Sequence, residues 1–152
     1  MIGNPPSLSA FFSLWSGSSA EFLRYEGDIG PVRLTYSAAA AGAAGFAARL
    51  RASGIARGER ILFWCENRPE WIVALWGCLL EGVIAVPIDF RSSASVVQRI
   101  GQIVSARALL IGEGLTPPGA LPCPVWPMRG ILETSAPGAS FSPAPEDDTA
   151  EI

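Results

Sequence analysis

The fold is decided by residues 61–111, ILFWCENRPEWIVALWGCLLEGVIAVPIDFRSSASVVQRIGQIVSARALLI. Three short runs in this stretch, at residues 61–64, 83–88 and 108–111, are apolar without interruption. Such runs are typical of strands that are buried on both faces of a parallel sheet. The two segments between them have apolar residues at helical spacing. The pattern therefore predicts an α/β fold, a parallel sheet layered with helices and joined by right-handed crossovers.

The first helix of this unit is predicted to begin at Asn67-Arg68-Pro69-Glu70 and to end at Gly82. Whether Asn67 or Arg68 caps it stays open, because Pro69 disfavours helical geometry at the residue before it. Its apolar residues at helical spacing predict a buried stripe. The members of that stripe are Ile72, Leu75, Trp76, Leu79 and Leu80.

The second helix is predicted to begin within residues 92–95, where Ser95 and Gln98 have the spacing of a capping box. Its buried face is also read from apolar spacing. That face comprises Val96, Val97, Ile100, Ile103 and Val104.

Composition divides the chain into three parts. Residues 1–34 are expected to pack on the domain as an N-terminal segment, with a turn marked by Gly27, Gly30 and Pro31. Residues 35–112 form the α/β core, which opens with an Ala-rich helix that Thr35 caps and Gly54 ends. Residues 113–152 are rich in proline, so we expect loop there, with a short strand near residues 125–128.

Two residue types are missing from the 152 residues: there is no His, and all 11 basic residues are Arg. These absences exclude an imidazole base, a Schiff-base lysine and a P-loop lysine within this sequence. The net charge is -3. Because no basic stripe is available to neutralise phosphates, we expect no nucleic-acid partner.

The three cysteines are odd in number and lack CxxC spacing. This usage favours a reducing compartment, hence the cytoplasm, with the thiols as small buried groups. Residues 8–15 are apolar but are not preceded by the positive charges of a secretory signal. The longest apolar run, residues 71–80, is too short for the ~20 residues of a membrane span. We therefore expect a soluble protein without a transmembrane segment.

The α/β pattern raises the hypothesis of a nucleotide site. A dinucleotide fingerprint needs glycines between the first strand and its helix, whereas residues 65–69 contain none and Glu66 would repel a phosphate. Gly112-Glu113-Gly114 follows a strand but is followed by prolines, which favours a turn.

Two acidic positions were weighed as sites. Asp89 follows a strand at the carboxyl edge of the sheet and is followed by Arg91 two residues later, and we favour a local salt bridge or a helix-start contact over a site. Asp147-Asp148 lacks the alternating ligands and central glycine of a calcium loop. We assign no catalytic, cofactor-binding or metal-ligating residue.

Several stretches together carry a resemblance to a known family. They are Leu34-Thr35-Tyr36 before a helix, GIARGERI at residues 54–61, NRPEW at 67–71, LEGVIAVPID at 80–89, SARALLI at 105–111 and PEDDTAEI at 145–152. In this order they resemble the N-terminal part of the adenylate-forming, AMP-binding ligase family, over roughly residues 8–152. The NRPEW stretch is more similar to the acyl-CoA synthetases, such as long-chain fatty-acid–CoA ligases, than to peptide synthetases.

The resemblance implies that the full-length enzyme uses ATP, Mg and CoA to convert a carboxylic or fatty acid into an acyl adenylate and then acyl-CoA. The family's phosphate loop, adenine site, magnesium glutamate and catalytic lysine correspond to positions beyond residue 152, so none is carried over. In some relatives the loop after the second strand lies near CoA, which would place residues 89–91 there, but their glycine-rich version is absent.

We therefore expect an N-terminal fragment of an acyl-CoA synthetase-like ligase that is inactive alone, with the remainder of the ligase as its partner. One alternative is a non-catalytic interaction module or one half of a split ligase. A further alternative is a flavodoxin-like nucleotide binder.

Overall fold

The computed structural model describes residues 7–27 and 30–133. The elements, in chain order, are α1 Leu8–Trp15, β1 Glu21–Gly27, β2 Gly30–Thr35, α2 Tyr36–Ala52, β3 Arg60–Trp64, α3 Pro69–Glu81, β4 Ile84–Ile88, α4 Ala94–Ile103, β5 Ala108–Ile111, β6 Val125–Pro127 and a 3₁₀ turn Ile131–Glu133. Within these ranges no helix combines the length and the apolarity needed to cross a bilayer.

The main sheet has four parallel strands in the order β4-β3-β5-β6. Leu62 at the centre of β3 lies opposite Val86 of β4 on one side and Leu109 of β5 on the other. Ile61, Leu62 and Phe63 are fully buried, as expected for a central strand covered on both faces. The predicted α/β fold and the short strand near residue 125 are confirmed.

Alternation along the strands builds two separate cores. Ile61 and Phe63 of β3 belong to the core that contains α2 and α3, whereas Leu62 and Trp64 belong to the core that contains Val97 of α4. Because successive strand residues point to opposite faces, helices are required on both sides of this sheet.

Helices α2 and α3 pack closely because glycine stands at their contact. A Cβ atom added at Gly77 would lie 2.7 Å from Phe46 Cδ1 and 3.0 Å from the carbonyl oxygen of Ala43. The absence of a side chain therefore lets the two helix backbones approach.

The buried stripe predicted for α3 is largely wrong. Four predicted members, Ile72, Leu75, Trp76 and Leu79, are only partly buried, although Leu80 is buried. The face that is buried instead comprises Val73, Ala74, Gly77 and Cys78. Helix α3 is apolar almost all round, so the small residues that permit close approach decide which side meets α2.

The helix boundaries follow the predicted chemistry in most places. The side chain of Thr35 accepts a hydrogen bond from the Ala38 N–H, as predicted for a cap of α2. Arg68 holds the N-cap position of α3 without a side-chain hydrogen bond, and Gly82 ends that helix in the left-handed conformation at φ 66°.

Helix α4 begins within the predicted residues 92–95, but its cap and its buried face differ from prediction. Ser93, rather than Ser95, caps the helix by accepting from the Val96 N–H. Val96 and Ile103 are 44% and 71% exposed instead of buried. A Cβ at Gly101 would lie 3.2 Å from Leu62 Cδ1 of β3 and 2.8 Å from Leu121 Cδ1, so the helix approaches the sheet along its glycine and turns Val96 and Ile103 outward.

The N-terminal part contains two features that the sequence did not predict as regular structure. Strands β1 and β2 form an antiparallel hairpin, with Gly27 paired to Gly30. The predicted turn includes residues 28 and 29, which lie outside the described part. Helix α1 places Phe12, which is 6% exposed, in the core with α2 and α3.

We expect Ser93→Ala to lower the free energy of unfolding by about 1 kcal/mol, because an unsatisfied N–H is left at the first turn of α4. Ser95→Ala, at the position that the capping-box spacing favoured, is expected to change it by less than about 0.5 kcal/mol. Urea unfolding of both variants checks this. Equal losses would place the cap elsewhere.

Candidate functional site

The carboxyl ends of β3 and β5 meet where the strand order reverses. The chain runs from β3 through α3 to β4, and then through α4 to β5 on the opposite side of β3. In open α/β sheets, ligands bind in the crevice outside the carboxyl ends at such a point. The loops that reach this crevice are residues 65–68 after β3 and residues 112–114 after β5.

Charged side chains fill this crevice. We call Glu66, Arg68, Glu70, Glu113 and Arg129 the carboxyl-edge cluster. Its ion pairs join Arg68 Nη1 to Glu66 Oε1 at 3.5 Å, Arg68 Nε to Glu70 Oε2 at 3.6 Å and Arg129 Nη1 to Glu113 Oε1 at 3.4 Å. The space among these side chains is about 10 Å³, close to the size of one water molecule. A nucleotide does not fit there.

Gly112 has no side chain and therefore leaves room for the Glu66 carboxylate of the cluster. A Cβ atom at Gly112 would collide with Glu66 Oε2 and would lie 3.0 Å from the Cα atom of Cys65. The glycine after β5 therefore admits Glu66 rather than a phosphate.

The electrostatics of the crevice disfavour an anion. Three carboxylates face two guanidinium groups in the cluster, a balance of one negative charge. One oxygen each of Glu66 and Glu70 is buried and has no hydrogen-bond partner within the described part of the chain. A polyphosphate would add charge beside these oxygens, which is unfavourable in a partly desolvated site.

The cysteines offer no reactive thiolate near neutral pH. Burial, with smaller contributions from Glu66 and Glu70, raises the pKa of Cys65 to about 12. Burial also raises the pKa values of Cys78, which is buried, and of Cys123, which is half-buried. Because the thiolate is the nucleophile and the metal ligand, neither chemistry is supported at these positions.

Accordingly, at pH 8 the folded chain is expected to react with a disulfide reagent such as DTNB first at Cys123, the half-buried thiol. Cys65 and Cys78 should react only after unfolding in denaturant. A Cys123→Ser variant is the control and should be nearly silent while folded. Rapid reaction of all three thiols in the native protein would contradict the described core.

An apolar groove lies beside the cluster, between the hairpin and the start of α3. Its volume is about 360 Å³, within the range of ligand pockets. Its walls are formed by Leu23, Tyr25, Pro69, Trp71 and Ile72. The Arg68 guanidinium lies 5.6 Å from the centre of the Tyr25 ring and is paired with Glu66 and Glu70. The groove thus offers an apolar surface, and the charge of the adjoining Arg68 is neutralised by Glu66 and Glu70.

The candidate acidic positions have the following outcomes. Asp89 and Arg91 form an exposed local ion pair at 3.2 Å, the interpretation that the sequence favoured. The hydrogen bond from Arg91 lowers the pKa of Asp89. Asp147 and Asp148 lie outside the described residues. Among residues 7–27 and 30–133 no group of three His, Cys, Asp or Glu side chains is placed to hold a metal ion.

The sequence pointed to Glu66 but missed two partners of the site. Arg68 and Glu70 were read only as helix-start residues, although the alternation of charge in residues 66–70 was a usable signal. Tyr25 gave no signal, because it reaches the groove only through a hairpin that was not predicted.

The fold and this crevice define a class: a parallel α/β layer of the kind found in the N-terminal subdomains of adenylate-forming ligases. The N-terminal subdomain of Klebsiella oxytoca NpsA superposes with a TM-score of 0.79 and 19% identity, covering 96% of this chain and 37% of that one. The family model "AMP-binding enzyme" matches residues 19–144. The chain belongs to the AMP-binding enzyme family.

Curated relatives agree with this family. A medium/long-chain-fatty-acid–acyl-carrier-protein ligase of Mycobacterium tuberculosis is 34% identical over 85 residues, which are 56% of this chain and 16% of that protein. A 3-hydroxybenzoate–CoA/4-hydroxybenzoate–CoA ligase of Thauera aromatica is 36% identical over 62 residues, 41% of this chain and 12% of that protein. The matched regions are thus small parts of these ligases.

Proposed function

We propose that this chain is the N-terminal region of an ATP-dependent, AMP-forming acyl-CoA synthetase-like ligase. Such an enzyme joins a carboxylate to AMP, releasing pyrophosphate, and then transfers the acyl group to a thiol with release of AMP. The family match over residues 19–144 carries the proposal. Relatives that act on a fatty acid and on hydroxybenzoates support the acid–thiol class of reaction.

The role we propose for the chain is to supply a layer of the ligase rather than its reacting groups. The sequence has neither Lys nor His, and the crevice at the carboxyl edge is filled by paired charges. ATP, Mg and the thiol acceptor would then be bound by the remainder of the ligase, so the isolated chain would be inactive. The full enzyme would be cytoplasmic.

We keep the three-part division within this proposal. Residues 1–34 cover the first core, residues 35–112 provide the α/β layer, and residues 113–152 lead toward the phosphate loop. The burial of Phe12 and Leu34 in one core with Phe46 supports the first assignment. The flavodoxin-like alternative has no support from the crevice, because its acidic side chains occupy the space that a flavin phosphate would need.

The substrate class that we propose is a fatty acid, following the resemblance of residues 67–71 and the M. tuberculosis relative. The acceptor thiol is that of CoA. A carrier protein presents a thiol of the same chemistry, so the test has to separate the two.

The test uses this chain joined to the ligase region encoded downstream of it. Acid-dependent exchange between ATP and pyrophosphate is measured with a fatty-acid series and with hydroxybenzoates, and CoA and a carrier protein are then compared as acceptors. We expect exchange with fatty acids and thioester formation on CoA. Exchange with hydroxybenzoates alone would correct the substrate, transfer to the carrier protein alone would correct the acceptor, and no exchange with any acid would refute the ligase proposal.

A further inference from the structure

Helix α1 is apolar on two sides. On its inner side Phe12 is 6% exposed, and the ring of Trp15 lies 5.0 Å from the ring of Trp76. On its outer side Leu8, Phe11 and Leu14 are 59%, 44% and 54% exposed, and we call these three residues the outer face of α1. No residue of the helix is charged. The helix also contains the polar residues Ser9 and Ser13, so it is not apolar all round. The apolar stripe of an amphipathic helix normally faces the core, whereas the outer part of this stripe is exposed.

The outer face of α1 concentrates exposed apolar side chains in one short helix. Consecutive members are three residues apart and are therefore neighbours on the helix surface, with Phe11 between Leu8 and Leu14. They are three of the seven large apolar side chains that are exposed in the described part of the chain. Exposed apolar patches of this kind mark interaction sites.

We propose that the outer face of α1 packs against the C-terminal portion of the same ligase polypeptide. The inference rests on the proposed function and names the partner surface within it. The superposition covers 96% of this chain but only 37% of the K. oxytoca N-terminal subdomain. Most residues of that subdomain therefore lie outside the matched part. Those residues must pack on surfaces that this chain leaves open.

The size of the face favours an intramolecular contact. Three half-exposed side chains offer on the order of 300 Å² of apolar area, whereas a stable association between separate molecules buries about 800 Å² on each. A covalent connection removes most of the entropic cost of association, so a small patch suffices when the partner belongs to the same chain. A second copy of this chain would gain too little area from α1 alone.

The free edges of the main sheet are poor alternatives for docking by strand addition. The Ile84 N–H donates to the Glu59 carbonyl oxygen, and the Met128 N–H donates to the Ile111 carbonyl oxygen. The backbone groups of the odd-numbered residues of β4 and β6 therefore point away from the sheet, toward its free edges. The outward positions include Pro87 and Pro127, which have no N–H to donate. Proline at an edge position discourages pairing with a further strand.

The experiment compares two double variants of the 152-residue chain. Phe11→Gln with Leu14→Gln changes the outer face of α1, and Val96→Gln with Ile103→Gln is the matched control on α4, where both side chains are also exposed. The stability of each variant is measured by urea unfolding in the isolated chain and in the same chain joined to the downstream ligase region, and self-association of the isolated chain by analytical ultracentrifugation. Circular dichroism and thermal unfolding establish that each variant is folded.

We expect the α4 control to shift the urea midpoint alike in the isolated chain and in the joined protein, whereas the α1 variant should lower the midpoint in the joined protein only. An α1 variant that shifts the midpoint equally in both proteins, or in neither, would overturn the docking proposal. Self-association that the α1 variant abolishes would identify a second copy as the occupant and would also overturn it. Exchange activity of the joined chain reports on the proposed ligase function independently of these outcomes.

Discussion

Phe63→Ala is expected to lower the free energy of unfolding by about 3–5 kcal/mol, the usual cost of truncating a fully buried aromatic residue. Phe63 lies at 0% exposure in the central strand β3, and its ring meets that of Trp71 edge-to-face at 5.5 Å between centroids. The loss combines the transfer of the ring to water with a cavity between the sheet and α3. Since small domains are stable by only about 5–15 kcal/mol, the variant should be largely unfolded in mild denaturant.

Phe90→Ala is the matched control for this prediction. Phe90 is 39% exposed in the loop after β4, so its truncation should cost less than about 1 kcal/mol. Guanidinium unfolding, followed by tryptophan fluorescence and by circular dichroism, measures both. If the two substitutions cost the same, β3 is not the centre of the sheet.

Gly77→Val is expected to cost about 3 kcal/mol, at the upper end of what overpacking usually costs. The atoms that a side chain at this position would meet include the Ala43 carbonyl oxygen, at 3.0 Å from the added Cβ, and Phe46 Cβ, also at 3.0 Å. Backbone atoms cannot move aside by a rotamer change, so α2 and α3 would have to separate. That separation opens the core that contains both helices.

Gly119→Val serves as the reference, since nothing lies within 4 Å of a Cβ atom at that position. It should change stability by no more than about 0.5 kcal/mol. Urea titration of both variants, with the slope compared to that of the wild-type chain, separates a loss of packing from a change in the unfolded state. A tolerated Gly77→Val would mean that α2 and α3 are farther apart than described.

The order of strands and helices between residues 60 and 111 was predictable because each element has its own local signal. Continuous apolar runs indicated β3, β4 and β5, and Pro69 and Gly82 bounded α3. The side that each helix buries was not predictable in the same way. It depends on Gly77 and Gly101, whose effect is to allow close approach, and apolar periodicity carries no information about that.

The hairpin and the groove could not be predicted for a different reason. Strand β1 has the adjacent apolar residues Phe22 and Leu23 and then Arg24 and Glu26 on either side of Tyr25, so it lacks the strict alternation that identifies an exposed strand. Its contribution to the groove arises only when the hairpin packs against the first turn of α3. By contrast, the position of Glu66 at the carboxyl edge of the sheet was predictable, because it lies in the loop directly after β3.

The sequence contains neither Lys nor His, which excludes an imidazole base, a Schiff-base lysine and a P-loop lysine within it. The AMP-binding enzyme family model matches residues 19–144, and the matched region is a small part of each relative described above. A structural layer needs apolar strands, close helix contacts and neutralised charges, and residues 35–133 supply these. The reacting groups are proposed to lie in the remainder of the ligase.

Fatty-acid-dependent exchange of labelled pyrophosphate into ATP, measured on the purified 152-residue chain and on the same chain joined to the downstream ligase region, tests this account most directly. The account predicts no exchange above the protein-free blank for the chain alone and acid-dependent exchange for the joined protein. Acid-dependent exchange by the chain alone, or none by the joined protein, would contradict it.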